Sequence, residues 1–174
     1  MSSRNIFRVA AIHRESTVHG PGARYVIWLQ GCDKRCPGCI APEWQPMAGG
    51  MPVDVGKLAG DILARPHLSG VTISGGEPLL QSGPLVALLT ILRMQRQDLS
   101  VILFTGYTMG QLVLGGTDDQ RRVLSMCDLV IDGPYIESLN DDKGLRGSSN
   151  QVLHFITDAL RPYKTELETS PPQG

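Results

Sequence analysis

The chain predicts an α/β fold, a partial and open β/α barrel of about five to six parallel strands with helices on its outer face. Three observations predict it. Short apolar, β-branched runs alternate with segments of helical periodicity, the pattern of βα units joined by right-handed crossovers. The clusters of cysteine, glycine and acidic residues fall at the carboxyl ends of predicted strands, the face on which β/α barrels gather their chemistry. At 174 residues, the chain is shorter than the roughly 250 that eight such units occupy, so the sheet should stay open along one side.

In chain order, residues 6–13 (IFRVAAIH) read as a strand, and Gly20-Pro21-Gly22 as a turn. Residues 25–30 are a short apolar run bounded by turn residues, a buried strand. Residues 54–65 carry Val55, Leu58, Ile62 and Leu63 at helical spacing, with Asp54 placed to cap and Pro66 to stop the helix. A strand over 70–74 runs into Gly75-Gly76-Glu77-Pro78. The strongest helix spans 84–97, with proline at its start and cations toward its end. A strand over 100–104 ends in Thr105-Gly106-Tyr107, a helix covers 118–126, and a strand over 129–131 ends in Asp132-Gly133-Pro134. Residues 151–156 form a last strand. One domain over 1–160 follows, with 161–174 a flexible tail that lacks a core pattern and contains Pro171-Pro172.

Lysine and arginine number 16 against 17 acids, so there is no basic excess for nucleic acid or an anionic membrane. The longest apolar run, 85–92 with one threonine, falls short of the roughly 20 residues that cross a bilayer. The first residues lack the apolar region and cleavage site of a signal peptide. These features predict a cytoplasmic protein, and four cysteines in a reducing compartment suit metal binding better than disulfides.

Three of those cysteines crowd into 31–40, GCDKRCPGCI, where Cys32, Cys36 and Cys39 form a C-x3-C-x2-C run. The run follows the apolar strand directly, which makes it a chelating loop. No fourth ligand is nearby, whereas a 4Fe-4S cluster normally takes four cysteine thiolates. One iron is then left open, and an open metal position belongs to catalysis rather than to structure. Structural zinc or a simple electron-carrying cluster are the plainer alternatives. Cys127, at the end of a helical segment, reads as a small buried hydrophobe.

This loop resembles that of the radical S-adenosylmethionine (SAM) superfamily. Around it, His19-Gly-Pro-Gly-Ala-Arg24, Cys36-Pro-Gly-Cys39, Ser74-Gly-Gly-Glu-Pro78, Phe104-Thr-Gly-Tyr107, Ile131-Asp-Gly-Pro-Tyr135 and Arg146-Gly-Ser-Ser-Asn-Gln151 follow in order. From about Ser16 to His154 the series resembles the activating proteins of anaerobic ribonucleoside-triphosphate reductases, a branch of the glycyl-radical-enzyme activases. The resemblance implies a radical SAM partial barrel, with a 4Fe-4S cluster on Cys32, Cys36 and Cys39 and SAM on its open iron. The implied reaction is one-electron cleavage of SAM to a 5′-deoxyadenosyl radical that takes hydrogen from a glycine of a partner, an anaerobic ribonucleotide reductase. The electron would come from a flavodoxin or ferredoxin. A small radical SAM enzyme acting on a peptide or metabolite is the runner-up, and a non-catalytic zinc or iron-sulfur module the alternative of another class.

Residue by residue, the resemblance sets Gly38 near the adenine, where many relatives carry an aromatic residue; a tight turn is its plainer role. Gly75, Gly76 and Glu77, with Ser74 beside them, would receive the methionyl ammonium of SAM, against a simple strand-ending turn. Thr105 and Asp132 would hold the ribose or carboxylate, or cap the next helix. Arg146 would hold a carboxylate of SAM or of the partner by a bidentate fork, or belong to a solvated loop. His19 is the histidine to watch. Pro134 stands where relatives often carry a lysine.

Overall fold

Strand β2 (Arg24–Leu29) is buried along nearly all of its length, as an apolar strand covered on both faces should be. It is the pivot of the sheet. The computed structural model describes residues 5–170, and within them seven strands form one mixed sheet in the order β3-β1-β2-β4-β5-β6-β7. The strands are β1 (Ile6–Ser16), β2, β3 (Met51–Asp54), β4 (Gly70–Gly75), β5 (Ser100–Phe104), β6 (Leu129–Asp132) and β7 (Val152–Phe155). Five α-helices accompany them: α1 (Val55–Leu63), α2 (Ser82–Gln95), α3 (Met109–Gly115), α4 (Asp118–Met126) and α5 (Lys164–Thr169).

The helices begin where short polar side chains can satisfy their free amide groups. Asp54 accepts from the Lys57 amide at 3.0 Å to cap α1. Thr108 and Thr117 form reciprocal capping boxes with Gln111 and Gln120 at α3 and α4. On α2, Leu85, Leu88, Leu89 and Leu92 are at most 1% exposed, a stripe worth roughly 1.5–3 kcal/mol per side chain in removed apolar surface. The alternation of the strands divides the core. Val101, Leu103 and Val130 join the large cluster with α1, α2 and α4, while Ile102, Leu129 and Ile131 face a smaller one with Leu160 and Leu167.

The α/β class matches the sequence expectation; the strand count does not. Only β2, β4, β5 and β6 run parallel, not five or six strands. Strand β1 is antiparallel to β2, because the connection 17–23 is too short for a parallel crossover, which needs a dozen or more residues, and it is antiparallel to β3 as well. Strand β7 returns antiparallel to β6 after a loop that contains only a 3-10 turn, Glu137–Leu139. The expected tail is also corrected. Its residues 161–169 form a 3-10 turn and α5, and Leu167 at 3% exposure closes the smaller cluster. A lone buried leucine in KTELET leaves no periodic trace. Residues 171–174 of that tail lie outside the described residues. Strand β3 and helix α3 were missed for the same reason, being short and mostly exposed or half-buried.

Because β2 and β4 pair with Trp28 opposite Ser74 and Leu29 opposite Gly75, the cysteine loop and the Gly-Gly-Glu loop leave the sheet side by side. That adjacency positions the site.

Candidate active site

The cysteine loop is folded back on a 3-10 turn at Pro42–Trp44. The Gly31 amide donates to the Trp44 carbonyl at 2.8 Å and the Cys32 amide to Gln45 at 2.9 Å, and the Cys39 amide closes a turn on Cys36 at 3.2 Å. Cys32, Cys36 and Cys39 are free, half-buried thiols. All three line one cavity of about 310 Å³ at the carboxyl ends of the parallel strands, the size of a small-molecule site. The Lys34 amide donates to the Cys32 sulfur at 3.4 Å. Burial pushes the Cys32 thiol up from its ordinary range, so it keeps its proton unless a metal displaces it. Among the described residues no trio of His, Cys, Asp or Glu is gathered closely enough to hold a single metal ion; a four-iron cluster instead takes each thiolate at a different iron. A set of soft sulfur donors opening on one cavity fits such a cluster.

Glu77 is the organising residue of the neighbouring loop. It is fully buried. One carboxylate oxygen accepts from the Leu79 amide and the Thr105 hydroxyl, both at 2.9 Å, and the other from the Gly106 amide at 2.7 Å. Burial, opposed by these donors and by Lys34, pushes its carboxyl up to about 7. The Glu77 amide in turn donates to the Gly31 carbonyl at 2.7 Å, which ties β4 to the cysteine loop. Both glycines before it stand where a side chain would meet neighbouring backbone. A Cβ on Gly75, where φ is +117°, would stand 2.3 Å from the Leu29 nitrogen, and one on Gly76 would stand 2.3 Å from the Gly31 carbonyl oxygen. Their bareness therefore serves the backbone of β2 and the cysteine loop.

Ser74, Gly75, Gly76, Glu77 and Thr105 line the cavity with the cysteines, whereas Gly38, Asp132 and Arg146 do not. Thr105 spends its hydroxyl proton on Glu77. Gly38 has φ +70°, and the Glu137 carboxylate fills the space of a side chain there, 2.4 Å from an ideal Cβ. The Asp132 carboxylate accepts from the Met109 amide at the start of α3 and lies 3.1 Å from the His154 ring. Arg146 pairs with Asp141 at 2.8 Å. Cys127 is fully buried, and burial pushes its thiol up to about 12, so it stays protonated and packs as a small hydrophobe.

Sequence reasoning missed the walls. Trp28, Phe104, Tyr135 and Gln151 line the cavity, and Trp28 is bracketed by His19 and Trp44 at ring separations of 5.2 and 5.7 Å. His19 does reach the cavity, anchored by Ser16 at 2.7 Å. Burial, with His13 as a lesser cause, lowers its pKa below 6.5, so the ring is neutral at pH 7. The Gly-Pro-Gly turn is fastened by Arg24, which is fully buried and donates to Pro21, Thr72, Val71 and Ser100. Gln151 accepts from the Gly147 and Ser148 amides and donates to the Gly133 carbonyl at 2.8 Å. The hydrogen-bonding density of the 146–151 stretch was the signal for this clamp.

A family model described as a 4Fe-4S single cluster domain matches residues 18–154. The chain is similar to the anaerobic ribonucleoside-triphosphate reductase-activating protein of Salmonella typhi, 31% identical over 146 residues, covering 80% of this chain and 92% of that one. The protein of the same name from Escherichia coli (strain K12) is 30% identical with the same coverage. The pyruvate formate-lyase-activating enzyme of Clostridium pasteurianum is 38% identical over 152 residues, 80% of this chain and 59% of that one.

Proposed function

Since the chain belongs to the family of glycyl-radical-enzyme activases built on a single 4Fe-4S cluster, we propose that it cleaves SAM reductively to generate a glycine radical in a partner enzyme. One observation carries the reading. Three free thiols, the Gly-Gly-Glu loop and Thr105 open on one cavity at the ends of the parallel strands. Four parallel strands in sequence order around that cavity also support the partial barrel of radical SAM enzymes.

Cys32, Cys36 and Cys39 would hold the cluster, leaving one iron for the amino-acid end of SAM. When bound, the two cofactors supply one-electron cleavage and the 5′-deoxyadenosyl radical that removes hydrogen from glycine. The protein's share is position and exclusion of water. Glu77, with one oxygen accepting a single hydrogen bond, has capacity for the methionyl ammonium, which would hold it ionised. Trp28 and Phe104 supply apolar walls suited to the adenosine, and neutral His19 adds a hydrogen-bonding edge without charge. Gly38, Asp132 and Arg146 are better read as supports of the surrounding loops.

The partner favoured by the relatives is an anaerobic ribonucleotide reductase. The Clostridium relative keeps a pyruvate formate-lyase-type partner as the second reading. A flavodoxin or ferredoxin is the matching electron donor. Among the described residues no helix is long and apolar enough to cross a membrane.

Anaerobic reconstitution with iron and sulfide, followed by dithionite and SAM, should yield methionine and 5′-deoxyadenosine. Mixing with each candidate partner should give a glycyl radical by electron paramagnetic resonance with one of them. Cys→Ala at 32, 36 and 39 together should abolish cleavage while the far-ultraviolet circular dichroism stays. A purified protein that holds zinc and no cluster after reconstitution overturns the reading.

A further inference from the structure

We propose that Lys34 binds the carboxylate of SAM and, with Glu77, recognises both charges of its amino-acid end. The inference rests on reading the cavity as a SAM site.

The methionyl end of SAM carries an ammonium and a carboxylate on one carbon. A pocket that takes it out of water has to present a negative and a positive group close together. Among the described residues that line the cavity, Glu77 is the only carboxylate, and Lys34 and His19 are the only bases. His19 is neutral at pH 7, chiefly because burial disfavours its charge. Lys34 is therefore the cavity's cation.

Its location suits the role. It projects from the middle of the cysteine loop, and its side chain is only 20% exposed. Lys34 and Glu77 share the room beside Gly106, where an ideal Cβ would stand 2.9 Å from Lys34 Cγ and 3.4 Å from Glu77 Oε2. The ammonium lies 3.2 Å from the centre of the Tyr107 ring and 3.6 Å from Asp33 Oδ1. Asp33 also accepts from the Tyr107 hydroxyl at 2.8 Å. A π face and one half-exposed carboxylate leave donor capacity on a group with three N–H bonds. Arg146, the cation that sequence reasoning considered for this purpose, does not serve, because it pairs outside the cavity with Asp141.

The test compares SAM with its decarboxylated analogue. Affinities of both for reconstituted wild type, K34M and K34R are measured by equilibrium dialysis, with iron and sulfide content determined for each protein. Loss of chelation at iron by the analogue is common to all three proteins and cancels. K34M should lose about tenfold of the wild-type preference for SAM over the analogue, the scale of one hydrogen bond to a charged group, and K34R should retain most of it. Y107F, which disturbs only the resting place of Lys34, should keep the preference. An unchanged preference in K34M, or an equal loss in Y107F, overturns the assignment of Lys34 alone. Failure of the cluster-loaded wild type to bind SAM overturns the functional reading beneath it.

Discussion

At the β2–β4–β5 end of the cavity the buried Glu77 carboxylate is met by three donors, whereas at the β6–β7 end the buried Arg146 Nε and Asn150 Oδ1 have no hydrogen-bond partner among the described residues. The first end is stitched by backbone: Gly76 to Leu29 at 2.8 Å, Glu77 to Gly31 at 2.7 Å, and Gly31 to Trp44 at 2.8 Å. The second is held by side-chain amides, Gln151 on Gly133 and Asn150 on Pro134, each at 2.8 Å. Leaving a buried polar group unmet costs about 1–3 kcal/mol, so local stability is concentrated at the end proposed to hold the cofactors. The opposite end, with residues 137–143 exposed, is the adaptable one, as a surface completed by a protein partner should be.

The contrast can be broken most forcefully through Glu77. In metal-free protein its carboxyl is pushed from 4.5 to about 7 by burial, so between those values the folded state binds a proton that the unfolded state lacks. Stability from this group is full below pH 4.5 and lost as pH rises through 7, by roughly 3 kcal/mol. Urea titrations across that window should show the fall, and E77Q should flatten it. A smaller effect is expected of T105V, which removes one donor from the buried carboxylate at a cost of about 1–3 kcal/mol and weakens SAM binding in the same dialysis. At the other end, Q151A should cost about 1 kcal/mol and raise the KM for the partner protein by a larger factor than it weakens SAM binding. The least effect is expected of R146A. Its half-exposed pair with Asp141 is worth at most about 1 kcal/mol, and SAM affinity should not move; a tenfold loss there would restore Arg146 to the cofactor site.

Much of this was legible in the chain. The helix 118–126 and the strand 100–104 were predicted at their observed boundaries, because capping threonine, acidic first turn and β-branched run all agree locally. The thiol loop and the Gly-Gly-Glu turn were visible because their spacing is itself the chemistry. Thr105 illustrates the remainder. Its place at a strand end was readable, but its choice of Glu77 as acceptor depends on β4 and β5 lying side by side. Asp132 was read as a ligand or a helix cap, and its carboxylate meets the start of α3, an element too short and exposed to leave a pattern.

By itself the sequence determined the α/β class and the cysteine loop, since these depend on residue type and on spacing along the chain. The tertiary structure alone decided which strands run antiparallel, that Leu167 closes the second core, and that Lys34, His19 and Trp28 face one cavity with the thiols. Such choices arise from contacts between residues far apart in the chain, where burial and pairing override any local preference.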